Sequence, residues 1–267
     1  MQSSTVRVLF IGDIVGKPGR QILKVLLPKI TQQYEIEFVI ANAENAAGGF
    51  GITENIGKEI FSYGVDLITT GNHVWDKKEA IAYIAKESRV LRPLNYPSGV
   101  PGSGSIVTKT KKDNSIAVIN VSGRVFMSLL DCPFKTSTEE IKRIKQQTDL
   151  IFIDFHAEAT SEKMAFAYYF DGQVSAVIGT HTHVQTADEK ILPKGTAYIT
   201  DVGMTGPEDS IIGFKKEEII EKFLDSMPRK FEVPSSSAIF SAVVVEADPQ
   251  TGLAKNIKRL MLRHPFN

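Results

Sequence analysis

The chain is 267 residues long, with 31 Lys and Arg against 31 Asp and Glu, so its formal net charge is zero. That balance argues against a dedicated nucleic-acid coat or a membrane-surface binder, both of which need excess positive charge. Hydrophobic residues make up 42% and charged residues 23%, ordinary globular usage and not that of a disordered chain. Cys132 is the sole cysteine, so neither an intrachain disulfide nor a multi-thiolate zinc site can form, and a reducing compartment is expected. No uninterrupted apolar run approaches the roughly 18 residues that span a bilayer. Residues 1–11 run straight into a strand-like stretch without a small-residue cleavage site, so the expectation is a cytoplasmic protein with no membrane partner.

The first predicted element is a strand over 6–11, ended by Gly12-Asp13. Apolar residues at helical spacing (Ile22, Leu23, Leu26, Leu27, Ile30) predict a helix over 21–34, with a kink at Pro28. A buried strand follows over 38–41, then a helix over 53–63 capped by Thr53, a strand over 67–70 and a helix over 77–87. Strand, helix, strand with short connections implies parallel strands with crossover helices. Residues 93–104, rich in Pro and Gly, read as loop. Strands over 106–110 and 115–121 flank the polar turn 111–114, a hairpin signal. Then come a helix over 138–147, a strand over 150–155 and a helix over 161–169. Strands over 174–178, 197–200 and 238–246 complete the pattern, with a helix over 216–224 between the last two. No repeat, low-complexity segment or linker interrupts the chain. The expectation is one α/β domain over 1–267, with a mixed sheet or two packed sheets.

In open α/β folds ligands sit beyond the carboxyl ends of the strands. The residues found there are Asp13 after the first strand, Asn42-Ala43-Glu44-Asn45 after the second and Gly71-Asn72-His73 after the third. His156 follows the 150–155 strand, with Glu158 beside it, and Gly179-Thr180-His181-Thr182-His183 follows 174–178. Four of the five histidines fall in these segments; the fifth, His264, lies near the C-terminus. Asp, Glu, Asn and His are the side chains that bind divalent metals of intermediate hardness. Taken singly, Asp13 reads equally as a helix cap, Asn72 as a turn residue and His156 as a hydrogen-bonded core histidine. Glu44 is harder to dismiss, because an unpaired buried carboxylate is costly. Together they predict a metal site. In an extended His-x-His the two rings point the same way, whereas a tighter turn lets them address two ions.

Other signals are weaker. Gly48-Gly49-Phe50-Gly51 could cradle a phosphate but reads better as a plain turn. Gly16-Lys17-Pro18-Gly19 is not a P-loop, since no Gly-Lys-Ser/Thr follows a strand at the right spacing. Lys109, Lys111 and Lys112 read as a solvated turn, and Asp154 and Asp171 receive no role.

In this order the segments resemble the calcineurin-like metallophosphoesterases, which read Asp-x-His, Gly-Asp, Gly-Asn-His, a lone His and Gly-His-x-His. Gly71-Asn72-His73 and the His181-Thr182-His183 block match well. The first two blocks depart: Val15 stands where the first His would be, and Glu44 replaces the bridging Asp. Those departures, with Gly12-Asp13-Ile14-Val15-Gly16, Asn42-Ala43-Glu44-Asn45 and the 180–188 segment Thr-His-Thr-His-Val-Gln-Thr-Ala-Asp, resemble the narrower YmdB-like bacterial metallophosphoesterases. The resemblance extends from Asp13 to at least the Asp201-Val202-Gly203-Met204 segment.

It implies an α/β fold of four layers, α-β-β-α, with mixed sheets, and a 2′,3′-cyclic-nucleotide 2′-phosphodiesterase activity giving nucleoside 3′-phosphates. It also implies two metal ions, with iron the usual metal and manganese a substitute. Asp13, Glu44, Asn45 and His183 would hold the first; Glu44, Asn72, His156 and His181 the second, with Glu44 bridging. His73 would be free of metal and act as general acid, while a hydroxide bridging the ions attacks phosphorus. The implied partners are a small phosphodiester and further copies of the chain as dimer or tetramer, with no DNA. Two competing readings stand beside this one. The first is a protein phosphatase, phosphomonoesterase or nuclease on the same scaffold; the lack of an extended basic groove weakens the nuclease. The second is a regulatory RNA-metabolism scaffold with a structural metal site, which would have no use for His73.

Overall fold

A computed structural model of the chain describes residues 5–235 and 237–264. The first half runs β1 (Val6–Ile11), β2 (Asp13–Ile14), α1 (Gly16–Gln33), β3 (Phe38–Asn42), α2 (Glu54–Ser62), β4 (Leu67–Thr69) and α3 (Lys78–Ile84). The middle runs β5 (Ser105–Lys109), β6 (Ser115–Ser122), α4 (Pro133–Ile144), β7 (Ile151–His156), α5 (Thr160–Tyr169) and β8 (Ala176–Thr180). The remainder is β9 (Lys190–Ile191), β10 (Ala197–Ile199), β11 (Met204–Pro207), α6 (Lys216–Asp225), β12 (Ala238–Ala247) and β13 (Ala254–His264).

The strands form two mixed sheets. One has the order β2-β11-β12-β1-β3-β4, with β13 on the other edge of β12; the second has the order β5-β6-β7-β8-β10-β9. β1, β3 and β4 are mutually parallel, as are β6, β7, β8 and β10, as the strand–helix alternation predicts. The β5–β6 hairpin forms with Lys109 opposite Ser115. Helix α2 starts where Thr53 accepts a hydrogen bond from the Ile56 amide. Helix α1 begins at Gly16, earlier than the apolar spacing indicates, and continues through Pro28. Helix α4 likewise begins early, at Pro133, because proline suits the first turn, where its missing N–H costs nothing.

Side-chain parity distributes the strand residues among three apolar layers. Val6, Val8 and Phe10 of β1 meet Ile116, Val118, Phe152 and Ile178 between the sheets. Leu9 and Ile11 point outward to Ile22, Leu23 and Leu27 of α1. Ile151, Ile153 and Phe155 point outward to Ile141 of α4 and Phe166 of α5. The result is the expected four-layer α-β-β-α sandwich.

The same parity sets the site. Continuing the inward-facing positions to the carboxyl ends gives Asn42 after Phe38 and Ile40, Thr69 after Leu67, Asp154 and His156 after Phe152, and Thr180 after Ala176 and Ile178. All five are 0% exposed. The layer between the sheets therefore changes from apolar to polar at one end. Asp154 accepts hydrogen bonds there from Asn42 (3.1 Å) and Thr69 (2.5 Å) on the first sheet and from Thr180 (2.6 Å) on its own.

Candidate metal centre

Seven of the predicted site residues converge above this polar seam. Glu44 sits in the turn after β3, where its amide hydrogen-bonds the Asn42 side chain at 3.1 Å. His156 Nε2 faces Glu44 Oε1 at 3.1 Å, Asn72 Oδ1 at 3.0 Å and His181 Nδ1 at 3.1 Å. One ring nitrogen thus looks at three acceptors. Bonds of about 2.1 Å at right angles would set neighbouring ligands about 3.0 Å apart, the spacing seen. Glu44, His156 and His181 form a group able to hold a metal ion.

A second cluster adjoins the first. Asn45 Nδ2 lies 3.1 Å from His183 Nε2 and 3.3 Å from Glu44 Oε1. A half-turn of that amide offers its oxygen to a cation instead. Asp13 Oδ1 is 3.8 Å from His183 Nε2. It is fully buried and finds no hydrogen-bond donor among the described residues, which is costly for a carboxylate oxygen unless a cation answers it. The donor set, the spacing and the orphaned oxygen all fit divalent metal. Glu44 Oε1 faces both clusters.

The backbone strains to aim the two histidines apart. His181 has φ +98° and His183 φ +66°, a region that side chains other than glycine rarely adopt. The His-x-His segment is thus a tight turn in which His181 faces His156, and His183 faces Asp13 and Asn45. Each has an outer partner that fixes its ring. His181 Nε2 lies 3.0 Å from Glu158 Oε2, and His183 Nδ1 donates to the Ile212 carbonyl at 2.8 Å. His156 Nδ1 lies 2.9 Å from Thr180 Oγ1, in turn hydrogen-bonded to Asp154.

The turn is pinned from below by a buried ion pair. Lys163, on α5, places Nζ 2.7 Å from Asp201 Oδ2. The same oxygen accepts from the Thr182 amide (3.0 Å) and hydroxyl (2.7 Å), while Oδ1 accepts from Gly203 N at 2.8 Å. Closeness of packing also requires Gly71: a Cβ there would lie 2.2 Å from His156 Nε2 and 2.5 Å from Glu44 Oε2.

Protonation follows from these contacts. Burial acts to remove the His156 proton, but Glu44, Asp13 and Asp154 outweigh it and raise the imidazole to about 9. Burial opposes the Glu44 carboxylate, yet His156 and His73 hold it down to about 2. Burial and the His156 cation push His181 down to about 3. Burial raises Asp13, and raises Asp154 to about 6. A proton on His156 thus stands where Glu44, Asn72 and His181 converge, the place a bound cation would take.

His73 lies at the rim. Its amide donates to Glu44 Oε2 at 3.0 Å, and its Nδ1 is 2.8 Å from Asp76 Oδ2. Its ring meets Phe50 edge-on with centroids 5.0 Å apart. It lines a cavity of about 330 Å³ together with Glu44, Asn45, His181 and His183. Asp76, three residues on from His73, is the orienting group that motif reading passed over. Lys163 and Asp201 were equally unmarked, since a helical lysine reads as solvated. Asp171, also without an assigned role, accepts from the Lys194 and Thr196 amides and so closes the turn before β10.

The YmdB-like protein family model matches residues 9–260. The chain belongs to that family. It is 50% identical over 257 residues to the 2′,3′-cyclic-nucleotide 2′-phosphodiesterase of Bacillus subtilis (strain 168), covering 96% of this chain and 97% of that one. Two solved relatives share the fold. A hypothetical protein from Thermus thermophilus superposes with TM-score 0.91 at 43% identity, covering 97% of this chain and all (100%) of the other. A structure described as a novel phosphatase from Mycoplasma pneumoniae superposes with TM-score 0.92 at 37% identity, covering 99% and 95%. Glu44 and the His181–His183 turn lie within the matched segment.

Proposed function

We propose that the chain is a metal-dependent phosphoric diester hydrolase that opens 2′,3′-cyclic nucleotides on the 2′ side, leaving nucleoside 3′-phosphates. The observation that carries this reading is the convergence of Glu44, His156, His181 and Asn72 within hydrogen-bonding distance of one point, beside the orphaned Asp13 oxygen. The activity of the Bacillus subtilis relative supports the substrate class. Asp13, Glu44, Asn45 and His183 would hold one ion and Glu44, Asn72, His156 and His181 another, iron being the favoured metal and manganese its substitute. Bound ions supply Lewis-acid charge for the phosphoryl oxygens and acidify water toward neutrality.

The chain's own residues do the rest. His73 protonates the leaving oxygen from Nε2, because Asp76 engages Nδ1. Glu158 and the Ile212 carbonyl keep His181 and His183 aimed inward. Buried Asp154 holds Thr180 against His156.

The test is metal analysis of purified protein with a hydrolysis panel of 2′,3′-cyclic nucleotides, bis-p-nitrophenyl phosphate and phosphopeptides. Nucleoside 3′-phosphate is the expected product. Turnover of phosphopeptides alone would overturn the reading in favour of a phosphoprotein phosphatase.

Among the described residues no helix is long and apolar enough to cross a membrane. The single cysteine supports a cytoplasmic location. The outward stripe of α6 and its flank, Ile220, Phe223, Leu224 and Met227, with Phe223 84% exposed, supports a homo-oligomer, to be measured by light scattering. One cooperative melting transition would support a single domain over 1–267.

A further inference from the structure

The cavity that holds the metal-binding cluster has a second wall of different character. Beside Glu44, His73, His181 and His183 it is lined by Phe50, Ile212, Phe214 and Phe231. We propose that this aromatic wall is a nucleobase-stacking subsite that seats the base of the substrate while its phosphate lies on the acidic and histidine cluster. The inference rests on the nucleotide reading of the site given above, and deepens it.

Two separate segments build the wall. Phe50 stands on the Gly48-Gly49-Phe50-Gly51 turn, where all three glycines have positive φ. A Cβ at Gly49 would lie 2.6 Å from the Phe214 ring and 3.2 Å from Val233. The glycines therefore do more than make a turn. They let the segment 208–235 between β11 and β12 settle onto the loop. Phe214, buried, stacks on Phe50 with centroids 5.0 Å apart and planes 23° apart, and meets Phe231 at 5.6 Å. Phe50 and Phe231 remain half-buried at the cavity. The Phe50 ring also contacts His73, so the wall begins where the leaving oxygen is to be protonated.

The occupant follows from this continuity. A volume of about 330 Å³ is at the small-ligand end of binding pockets, roughly 300–1,000 Å³. A cyclic nucleotide joins an anionic phosphodiester to a flat aromatic base through one sugar, and the same cavity is lined by the acidic and histidine cluster and by phenyl rings. Stacking accepts any base, because every base presents a π-face. The wall should therefore favour nucleotides over base-free phosphates with little choice among bases.

Calorimetry on the manganese-loaded protein tests this independently of turnover, using adenosine 3′-phosphate, uridine 3′-phosphate and ribose 3-phosphate. Both nucleotides should bind about five- to hundredfold more tightly than ribose 3-phosphate, the range base–aromatic stacking gives. Phe231→Ala and Phe50→Leu should each shrink that ratio, with melting curves confirming a folded protein. Equal binding of all three ligands to the wild-type protein would overturn the subsite and leave the aromatics as mere anchors of 208–235. A ratio unchanged in both variants would do the same. If cyclic nucleotides are not hydrolysed while the ratio persists, the reaction assignment fails and the subsite stands.

Discussion

Glu44 is a buried carboxylate held ionised by its neighbours. It is 1% exposed, and its two oxygens address His156 and Asn45 on one side and the His73 amide on the other. Glu44→Gln removes the charge but preserves shape, so it should lower metal content at both positions; two tightly bound ions per chain in that variant would sink the bridging role. His73 differs in kind. His73→Gln should keep its metal while losing roughly 10²–10⁴ in rate on a poor leaving group, the scale of general acid–base catalysis. The loss should be much smaller with p-nitrophenolate, which departs without protonation. Equal losses on both substrates, at matched metal occupancy, would remove the acid role.

At the level of elements, the residues that support the site were harder to read than those that form it. The cluster was legible because Asp, Glu, Asn and His at strand ends are unusual and fall in motif order. The parallel strands were legible from uniformly apolar runs such as 38–41 and 151–153. β13 escaped because most of its side chains are exposed and show no alternation: Lys255, Asn256 and Lys258 read as a polar tail. β2 and β9 are two residues each, and β11 contains Gly206 and Pro207, so none offers a period to detect. The Lys163–Asp201 pair was invisible because its burial arises only when α5 docks beneath the His181–His183 turn. Lys163→Met should strand a buried carboxylate and cost about 3–5 kcal/mol in urea unfolding. Adding Asp201→Asn should recover part of it; a single variant as stable as the parent would show that the pair does not matter. Gly71→Ala tests packing in the same way. Its methyl group collides with His156 and Glu44, so metal binding should fall well before the melting temperature does.

For the molecule as a whole, the site lies across a boundary. Asp13, Glu44, Asn45 and Asn72 come from the first sheet and its loops, and His156, His181 and His183 from the second. With the proposed ligand set, metal binding would be linked to the docking of the two sheets, and chelation should lower the melting temperature as mass action requires. Acidity adds a signature. In the chelated protein His156 keeps its proton up to about 9, against about 6.5 for a free imidazole. The stabilisation from that proton is complete below about pH 6.5 and disappears as pH rises through 9. Thermal melts of chelated protein should decline across that window, and metal-loaded protein should not; a flat profile without metal would refute the linkage. The seam that Asp154 ties between Asn42, Thr69 and Thr180 has a kinetic corollary. An ion held by residues of both sheets, as proposed, would escape only when the sheets part at that end, and its residence time would belong to the fold and not to any one ligand. Exchange against a strong chelator would then keep pace with amide hydrogen exchange at the tips of β3 and β7, as if the protein unlocked the metal each time it breathed.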